Sequence, residues 1–348
     1  TWKQPAFHKL VLNGLLWAVG DERRAMWEQL DLPELQYTES SRIPNYERRN
    51  PPLKLQEPLS PEESMQHIQV PPGFELQLFA AEPDIVKPIA LAWDERGRLW
   101  IAETIDYPND IHPGTPGRDR IKILEDTDGD GRADKFTVFA DSLNIPTGLV
   151  FANGGLIVSQ QPDLLFFQDT NGDDRADVRQ VLVSGFGIRD THAGPSNLRY
   201  GFDNRVWGAV GYSGYEKGDL GFGQAIWSMR PNGTDMAHEA SFSNNTWGLG
   251  FSETFDIFGN TANNTHAVYV GIPHRYNREV KGLPNRAGSA KIDGHYAMAA
   301  ITPNVRQVDV FGGFTAAAGI NLYTARAYPR EYWNRIAFVS EPTGRVLH

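Results

Sequence analysis

Two stretches of this sequence carry oxygen donors at the spacing that a hard cation demands. Asp126, Asp128, Asp130 and Asp134 occupy positions 1, 3, 5 and 9 of a loop in which Arg132 offers a backbone carbonyl at position 7. Asp169, Asn171, Asp173, Arg175 and Asp177 repeat that arrangement. Calcium takes about six to eight oxygens, and this alternation wraps them around one point. Asp174 replaces the turn-forming Gly131 in the second copy, and Thr137 stands where a helix-loop-helix calcium site has its Glu. Each loop therefore reads either as a structural calcium site or as a polar hairpin without metal. The candidate for acid-base chemistry is His192, in the run Arg189, Asp190, Thr191, His192. A carboxylate beside an imidazole orients the ring, and such a His can act as general base. The same His could equally be a loop residue bonded to backbone. His112, His266, His274 and His295 show no ligand spacing, and no Ser/His/Asp arrangement, Walker loop or dinucleotide fingerprint is visible. With no cysteine, the chain has no disulfide, thiolate metal site or Cys nucleophile.

These residues must be positioned by a repeat. Four hexamers share a template: Pro88 to Trp93, Pro146 to Phe151, Pro195 to Tyr200 and Thr246 to Phe251, with central leucines at 91, 149, 198 and 249. Each is followed by a polar turn and a second apolar run, and a fifth copy comes late, at Gly319 to Tyr323, after a Gly-, Asn- and His-rich insertion between about 272 and 300. Repeats of about 50 residues made of short strands read as β-propeller blades. The expected fold is all-β, a six-bladed β-propeller incomplete in this chain. A lone strand such as Phe74 to Phe79 often completes the last blade of a closed propeller, and here that blade is expected beyond His348, which leaves sheet edges unpaired. In an antiparallel meander the first and third turns share one face. The segments before the first strand and after the second then converge on the other face. That places Glu103, Tyr107, Gln160, Gln161, Arg189, Asp190, His192, Tyr212, Asn244, Asn245 and Asn260 around one pocket, with both Asp loops on the opposite side, where bound calcium would be structural.

Residues 5 to 30 place Phe7, Leu10, Val11, Leu15, Leu16 and Val19 at helical spacing, with Gly20 as a stop. Residues 1–35 are thus expected as a helical tail, 36–72 as a Pro-rich linker and 73–348 as the propeller. The charge of −10, without Lys/Arg blocks, argues against a nucleic-acid partner. The longest apolar stretch, Leu10 to Val19, is interrupted by Asn13 and Gly14, too short for the roughly 20 residues of a membrane span. The ends at Thr1 and His348 lead to the expectation of a piece of a longer protein.

The run Glu103, Thr104, Ile105, Asp106, Tyr107, Pro108, then Arg120 to Leu124, Gly185 to Gly187 and Thr191-His192 resembles the propeller of membrane-bound dehydrogenases of planctomycete-type bacteria, relatives of glucose/sorbosone dehydrogenases. The Asp loops resemble those of integrin-type propeller repeats, and Pro5 to Gly20 resembles the C-terminal tail of a ThuA-like domain. The resemblance implies a sugar or alcohol oxidoreductase of periplasmic or cell-surface location, with a c-type cytochrome domain downstream. It implies pyrroloquinoline quinone as cofactor and His192 as the base, with Asn244 and Asn245 positioning substrate or cofactor and Glu103 and Tyr107 lining the pocket. Where such enzymes carry an assisting Arg, this sequence has Asn244, Asn245, Thr246, Trp247, Gly248. Two other readings stay open. One is a non-catalytic carbohydrate-binding or scaffold propeller. The other is a lactonase-like hydrolase whose calcium is held by Glu103 and the asparagines.

Overall fold

The computed structural model describes residues 4–29, 58–108, 114–262, 265–271, 276, 280–282, 317–342 and 346–347. The chain divides into two compact units, the first holding the N-terminal helices and the second nearly all the rest. In the first, α1 (Pro5–Val19) and α2 (Asp21–Glu28) replace the single helix expected over 5–30. Pro5 sits in the first turn, where its missing N–H leaves no bond unmade, and Gly20 at φ 86° ends α1. Asp21 and Glu22 then put negative charge at the start of α2, which suits the helix dipole. No helix among the described residues is long and apolar enough to cross a membrane.

The second unit begins with α3 (Pro61–Gln66), a helix inside the stretch expected to be linker. Ser60 Oγ accepts from the Glu63 amide at 3.2 Å and the Glu63 carboxylate accepts from the Ser60 amide at 3.1 Å. This capping box overrides the prolines around it, because Pro61 lies where proline is tolerated. Residues 36–57 of the expected linker, and almost all of the expected insertion, lie outside the described residues.

The strands form successive antiparallel meanders. The first sheet contains β1 (Pro88–Trp93), β2 (Leu99–Glu103), β3 (Asp119–Glu125) and β4 (Lys135–Leu143). The second contains β5 (Gly148–Ala152), β6 (Gly155–Gln160), β7 (Asp163–Gln168) and β8 (Val178–Ser184). The third runs through β9 (Pro195–Tyr200) and β10 (Val206–Val210), inserts a hairpin of β11 (Tyr215–Lys217) and β12 (Leu220–Phe222), and closes with β13 (Ala225–Met229) and β14 (Ala237–Ser241). A fourth sheet has β15 (Thr246–Phe251), β16 (Ile257–Thr261) and β17 (Thr265–Val270). The last has β18 (Ala318–Leu322), β19 (Ala337–Glu341) and β20 (Val346–Leu347), one strand more than its sequence repeat announced.

Six complete blades are therefore not present among the described residues, since five copies of the inner-strand repeat nucleate five sheets, two of them three-stranded. Phe74 to Phe79 is not a strand either. It is an extended segment tied to the loop after β3 by the Gln77 Nε2 bond to Asp130 O (3.0 Å) and the Ala133 amide bond to Phe79 O (2.8 Å).

Each sheet buries one face against the next, because side chains alternate across a strand. Trp100 and Ala102 of β2 pack with Ile121 and Ile123 against Leu149, Val158 and Phe167 of the second sheet. Leu99 and Ile101, on the other face, pack with Phe79 and Ile85. Ile157 and Phe166 meet Leu198, Val206 and Trp227, and Trp207 with Ile226 meets Leu249 and Ile257. Burial of a side chain this size contributes about 3 kcal/mol, and Trp207 and Trp227 are both fully enclosed. The innermost strands follow in order, β1 beside β5, then β9, β15 and β18. Asn197 Nδ2 of β9 donates to Trp247 O of β15 (2.8 Å) and Asn260 Nδ2 of β16 to Gly319 O of β18 (3.0 Å), so neighbouring sheets are stitched by side-chain amides.

Candidate functional site

The turns β1–β2 and β7–β8 meet on one face, where the Arg98 guanidinium joins Asp94 (2.7 Å) and Asp174 (2.9 Å). The loops leaving β2, β8, β10 and β14 meet on the other. There, the loop after β8 is anchored by buried Phe186, whose ring packs on Tyr215 at 4.9 Å and on Trp227 at 5.4 Å. Gln161, buried just beyond β6, donates through Nε2 to Gly187 O (2.7 Å) and to Ser213 Oγ (3.0 Å). Ser213 Oγ in turn donates to Asp190 O (3.0 Å).

On that frame Asp190 Oδ1 accepts from the His192 amide at 2.9 Å and lies 3.1 Å from His192 Nδ1. In the neutral ring this contact places the proton on Nδ1 and leaves Nε2 as the acceptor, since a neutral imidazole donates from one nitrogen and accepts at the other. The His192 side chain is 56% exposed, so a ligand can reach it. The Tyr107 ring stands edge-on at 5.1 Å from the imidazole. Burial, and then the charge of Asp190, push the Tyr107 hydroxyl above its ordinary pKa, so it remains a neutral donor. Asn245 Nδ2 donates to His192 O at 2.9 Å, and Trp247 Nε1 donates to the same oxygen. The Tyr212 hydroxyl donates to Asn244 Oδ1 at 2.7 Å. The buried Asn245 Oδ1 and Gln161 Oε1 have no hydrogen-bond partner among the described residues. Arg189 is exposed beside this cluster.

Glu103 does something else. It is fully buried at the end of β2, where its carboxylate accepts from the Val86 amide (2.8 Å) and from Lys122 Nζ (3.0 Å) and pairs with Arg120. Two adjacent cations leave no net negative field for a third, so Glu103 is not the calcium ligand that the hydrolase reading needs. The loop carrying Tyr107 is held instead by buried Asp119, whose oxygens accept from the amides of Asp106 (2.8 Å) and Ile145 (2.6 Å). Burial raises the Asp119 carboxyl above its ordinary range.

In the first Asp loop, ligand oxygens of Asp126, Asp128 and Asp130 all lie within 4.8 Å of one another. Asp126 Oδ2 accepts from Gly131 N (2.8 Å) and Oδ1 from Gly129 N (2.7 Å), while Asp134 holds the Thr127 hydroxyl (2.7 Å). Asp169 makes the same bonds to the amides of Gly172 (2.7 Å) and Asp174 (2.8 Å). In that second loop the Asp174 side chain is committed to Arg96 and Arg98. A cleft of about 450 Å³ lies beside it, lined by Asp94, Arg96, Arg98, Trp100 and Phe151. Its lining sets the carboxylates of Asp94, Glu95, Asp169 and Asp174 against Arg96 and Arg98, and it lies on the face away from His192.

Sequence reasoning named most of the His192 cluster but missed Trp247 and Ser213. Trp247 was readable as an anomaly, since the other hexamers place Ile, Thr and Ser at its position.

The family described as Domain of unknown function (DUF7133) matches residues 60–348. No curated protein matches the chain. The PQQ-bound aldose sugar dehydrogenase of Streptomyces coelicolor is similar at 13% identity over 76% of each chain, with a TM-score of 0.46. The calcium structure of Trichoderma reesei Carbohydrate-Active Enzymes Family AA12 is similar at 13% identity over 81% of this chain and 82% of that one, with a TM-score of 0.47. The nidogen/laminin complex gives 12% identity over 73% and 72%, with a TM-score of 0.44. Likenesses at these levels assign no activity.

Proposed function

We propose, for a chain that belongs to the DUF7133 family, an oxidoreductase-type site that activates a hydroxyl of a sugar or polyol. The observation that carries this reading is the His192–Asp190 pair, 3.1 Å apart, with a largely exposed imidazole on the face where loops of the sheets converge. A substrate hydroxyl gives its proton to His192 Nε2, and Asp190 stabilises the resulting imidazolium. Tyr107, Tyr212 and Asn244 offer the mixture of donors and acceptors that a polyol requires. The carbon-bound hydrogen leaves with its electron pair to an external two-electron acceptor, supplied in the test below by the added quinone or dye.

Pyrroloquinoline quinone is the acceptor the sequence resemblance implies, and it carries three carboxylates. Of the cations near the Tyr107 loop, the Lys87 ammonium is held by the carbonyls of Ile105 (3.4 Å) and Tyr107 (3.2 Å) and Arg118 is paired with Asp106 (2.6 Å), while Arg189 is exposed beside His192. The opposite flank is neutral: Asn244, Asn245 and a Trp247 indole already bonded to His192 O. This donor set does not fit a tricarboxylate.

The test is dye-linked oxidation of an aldose and polyol panel, with and without added quinone. Turnover is expected, falling by about a hundredfold or more in His192→Ala. Unchanged turnover in that variant would overturn the reading. Saturable sugar binding without turnover would instead select a carbohydrate-binding propeller, the second reading, which the scarcity of free cations at the site favours.

The first Asp loop is proposed as a structural calcium site. Three carboxylates at this separation on an exposed turn suit a hard cation. The second loop is a weaker candidate, because Asn171 replaces a carboxylate and two arginines occupy Asp174.

A further inference from the structure

The His192–Asp190 pair is exposed, its side chains 56% and 39% open. An exposed pair is worth little, and its geometry has to come from the chain that carries it. What lies beneath the pair is enclosed. Gln161, in the turn after β6, and Ser213, in the loop after β10, are both buried, and both reach the main chain of Asp190.

Gln161 Nε2 donates to Gly187 O (2.7 Å) and Ser213 Oγ (3.0 Å), with a longer contact to Asp190 O (3.3 Å). Ser213 Oγ donates onward to Asp190 O (3.0 Å), which also accepts from the Ala193 amide (3.2 Å). The Ser213 amide returns a bond to Ala193 O (3.2 Å). The loops after β6, β8 and β10 thus meet at one carbonyl, that of Asp190. Gly187 lets them close, because a Cβ there would stand 2.2 Å from Ser213 O. From this fixed peptide the Asp190 carboxylate reaches the His192 amide (2.9 Å) and Nδ1 (3.1 Å), so a turn of the Asp190 backbone would break both contacts.

We propose that Gln161 and Ser213 are positioning residues, which clamp the Asp190 backbone so that its carboxylate keeps the His192 ring proton on Nδ1 and leaves Nε2 free to accept. The proposal rests on the His192 reading of the site. With the clamp cut, Asp190 turns away and the neutral ring carries its proton on either nitrogen, since the partner of one nitrogen sets the state of the other. The fraction of protein with a base at Nε2 then falls.

The test reads the ring directly. In the full chain labelled with heavy nitrogen, at a pH where the imidazoles are neutral, ring nitrogen shifts give the His192 tautomer, assigned by the signals lost in His192→Gln. The wild type is expected mainly in the Nδ1–H form, and Ser213→Ala and Gln161→Leu are expected to move it toward Nε2–H. In dye-linked sugar oxidation the same variants lower kcat by about tenfold or more and leave KM nearly unchanged, because the base is misplaced while substrate contacts stay. Asp174→Asn, which weakens the fold from the opposite face, is the control and keeps the wild-type tautomer. A wild-type tautomer retained in both clamp variants overturns the proposal, and so does an equal shift in the control. If Gln161→Leu does not fold, Ser213→Ala, which removes one hydroxyl, decides alone. A wild type that oxidises no sugar overturns the oxidoreductase reading only, since the tautomer comparison needs no substrate and still decides the clamp. A wild-type ring already in the Nε2–H form overturns both.

Discussion

His192 is held through its carbonyl as firmly as through its ring. Asn245 and Trp247 both donate to His192 O, and Gly211 supplies the space that Asn245 needs, since a Cβ on Gly211 would overlap Asn245 Oδ1. Gly211→Ala should therefore displace the Asn245 amide, strip a donor from the His192 loop and cost about 1–3 kcal/mol of stability. Chemical denaturation measures the cost. A variant that melts like the wild type would show that Asn245 is not tightly held. That the segments before β9 and β15 lie side by side was legible from meander geometry, and the Asn245 bond to His192 O joins them. The role of Gln161 was not readable. Its bonds to Gly187, Ser213 and Asp190 cross between loops 26 to 52 residues apart, and a local pattern says nothing about such pairings. Glu103 misled for the reverse reason. A carboxylate ending a strand looks available until Arg120 and Lys122, one strand over, are seen to claim it.

Between elements, the Arg98 cluster is the joint linking the first two sheets. Burial works to raise the carboxyls of Asp94 and Asp174. Hydrogen bonds from Trp100 and Arg98 to the first, and from Arg98 and Arg96 to the second, outweigh it, and both titrate below the ordinary carboxylate range. A depressed folded-state pKa gives stability that is present above the unfolded value, about 3.9, and lost as pH falls through the folded value. Asp174→Asn is thus expected to lose about 1–2 kcal/mol at pH 7 and to converge with the wild type once the pH falls below the depressed folded-state value. Equal stabilities at pH 7 would show that the joint contributes nothing. The neighbouring Asp loops give a second test at this scale. Calcium should raise the melting temperature over a chelator control, and Asp128→Asn should abolish the difference, because a ligand bound only to the folded state stabilises it by mass action. Identical curves with calcium and chelator would show the first loop to be an amide-satisfied hairpin. The shared turn face was legible from meander geometry. The helix α3 was missed because prolines on both sides of Ser60 drew attention from its capping spelling.

At the scale of the molecule, the strand repeat was legible and the closure was not. The inner strands fall on the sequence hexamers, with β1, β9 and β15 matching end to end, since alternation and turns are local. How the two ends of the arc are linked depends on contacts that no repeat encodes. Leu91 and Trp93 of β1 are exposed although β1 is an innermost strand, which leaves the extended segment before it as the cover of the first sheet. That segment is fastened at both ends. Gln77 and Phe79 bond the first Asp loop, while the Phe74 ring stands edge-on to Tyr328 at 4.8 Å and to Tyr332 at 5.2 Å, beside the last sheet. Phe74 therefore links the last sheet to the first in place of a paired strand. Phe74→Ala should cost about 1–2 kcal/mol, less than a fully enclosed phenylalanine because the ring is partly open. Amide exchange in β18 and β19 should accelerate while β6 and β7 stay protected, because the loss acts at the end of the arc. Chelation should loosen the same segment from its other end, through Asp130 and Gln77. Exchange in β18 and β19 unchanged by Phe74→Ala would mean that the last sheet holds its place without the first.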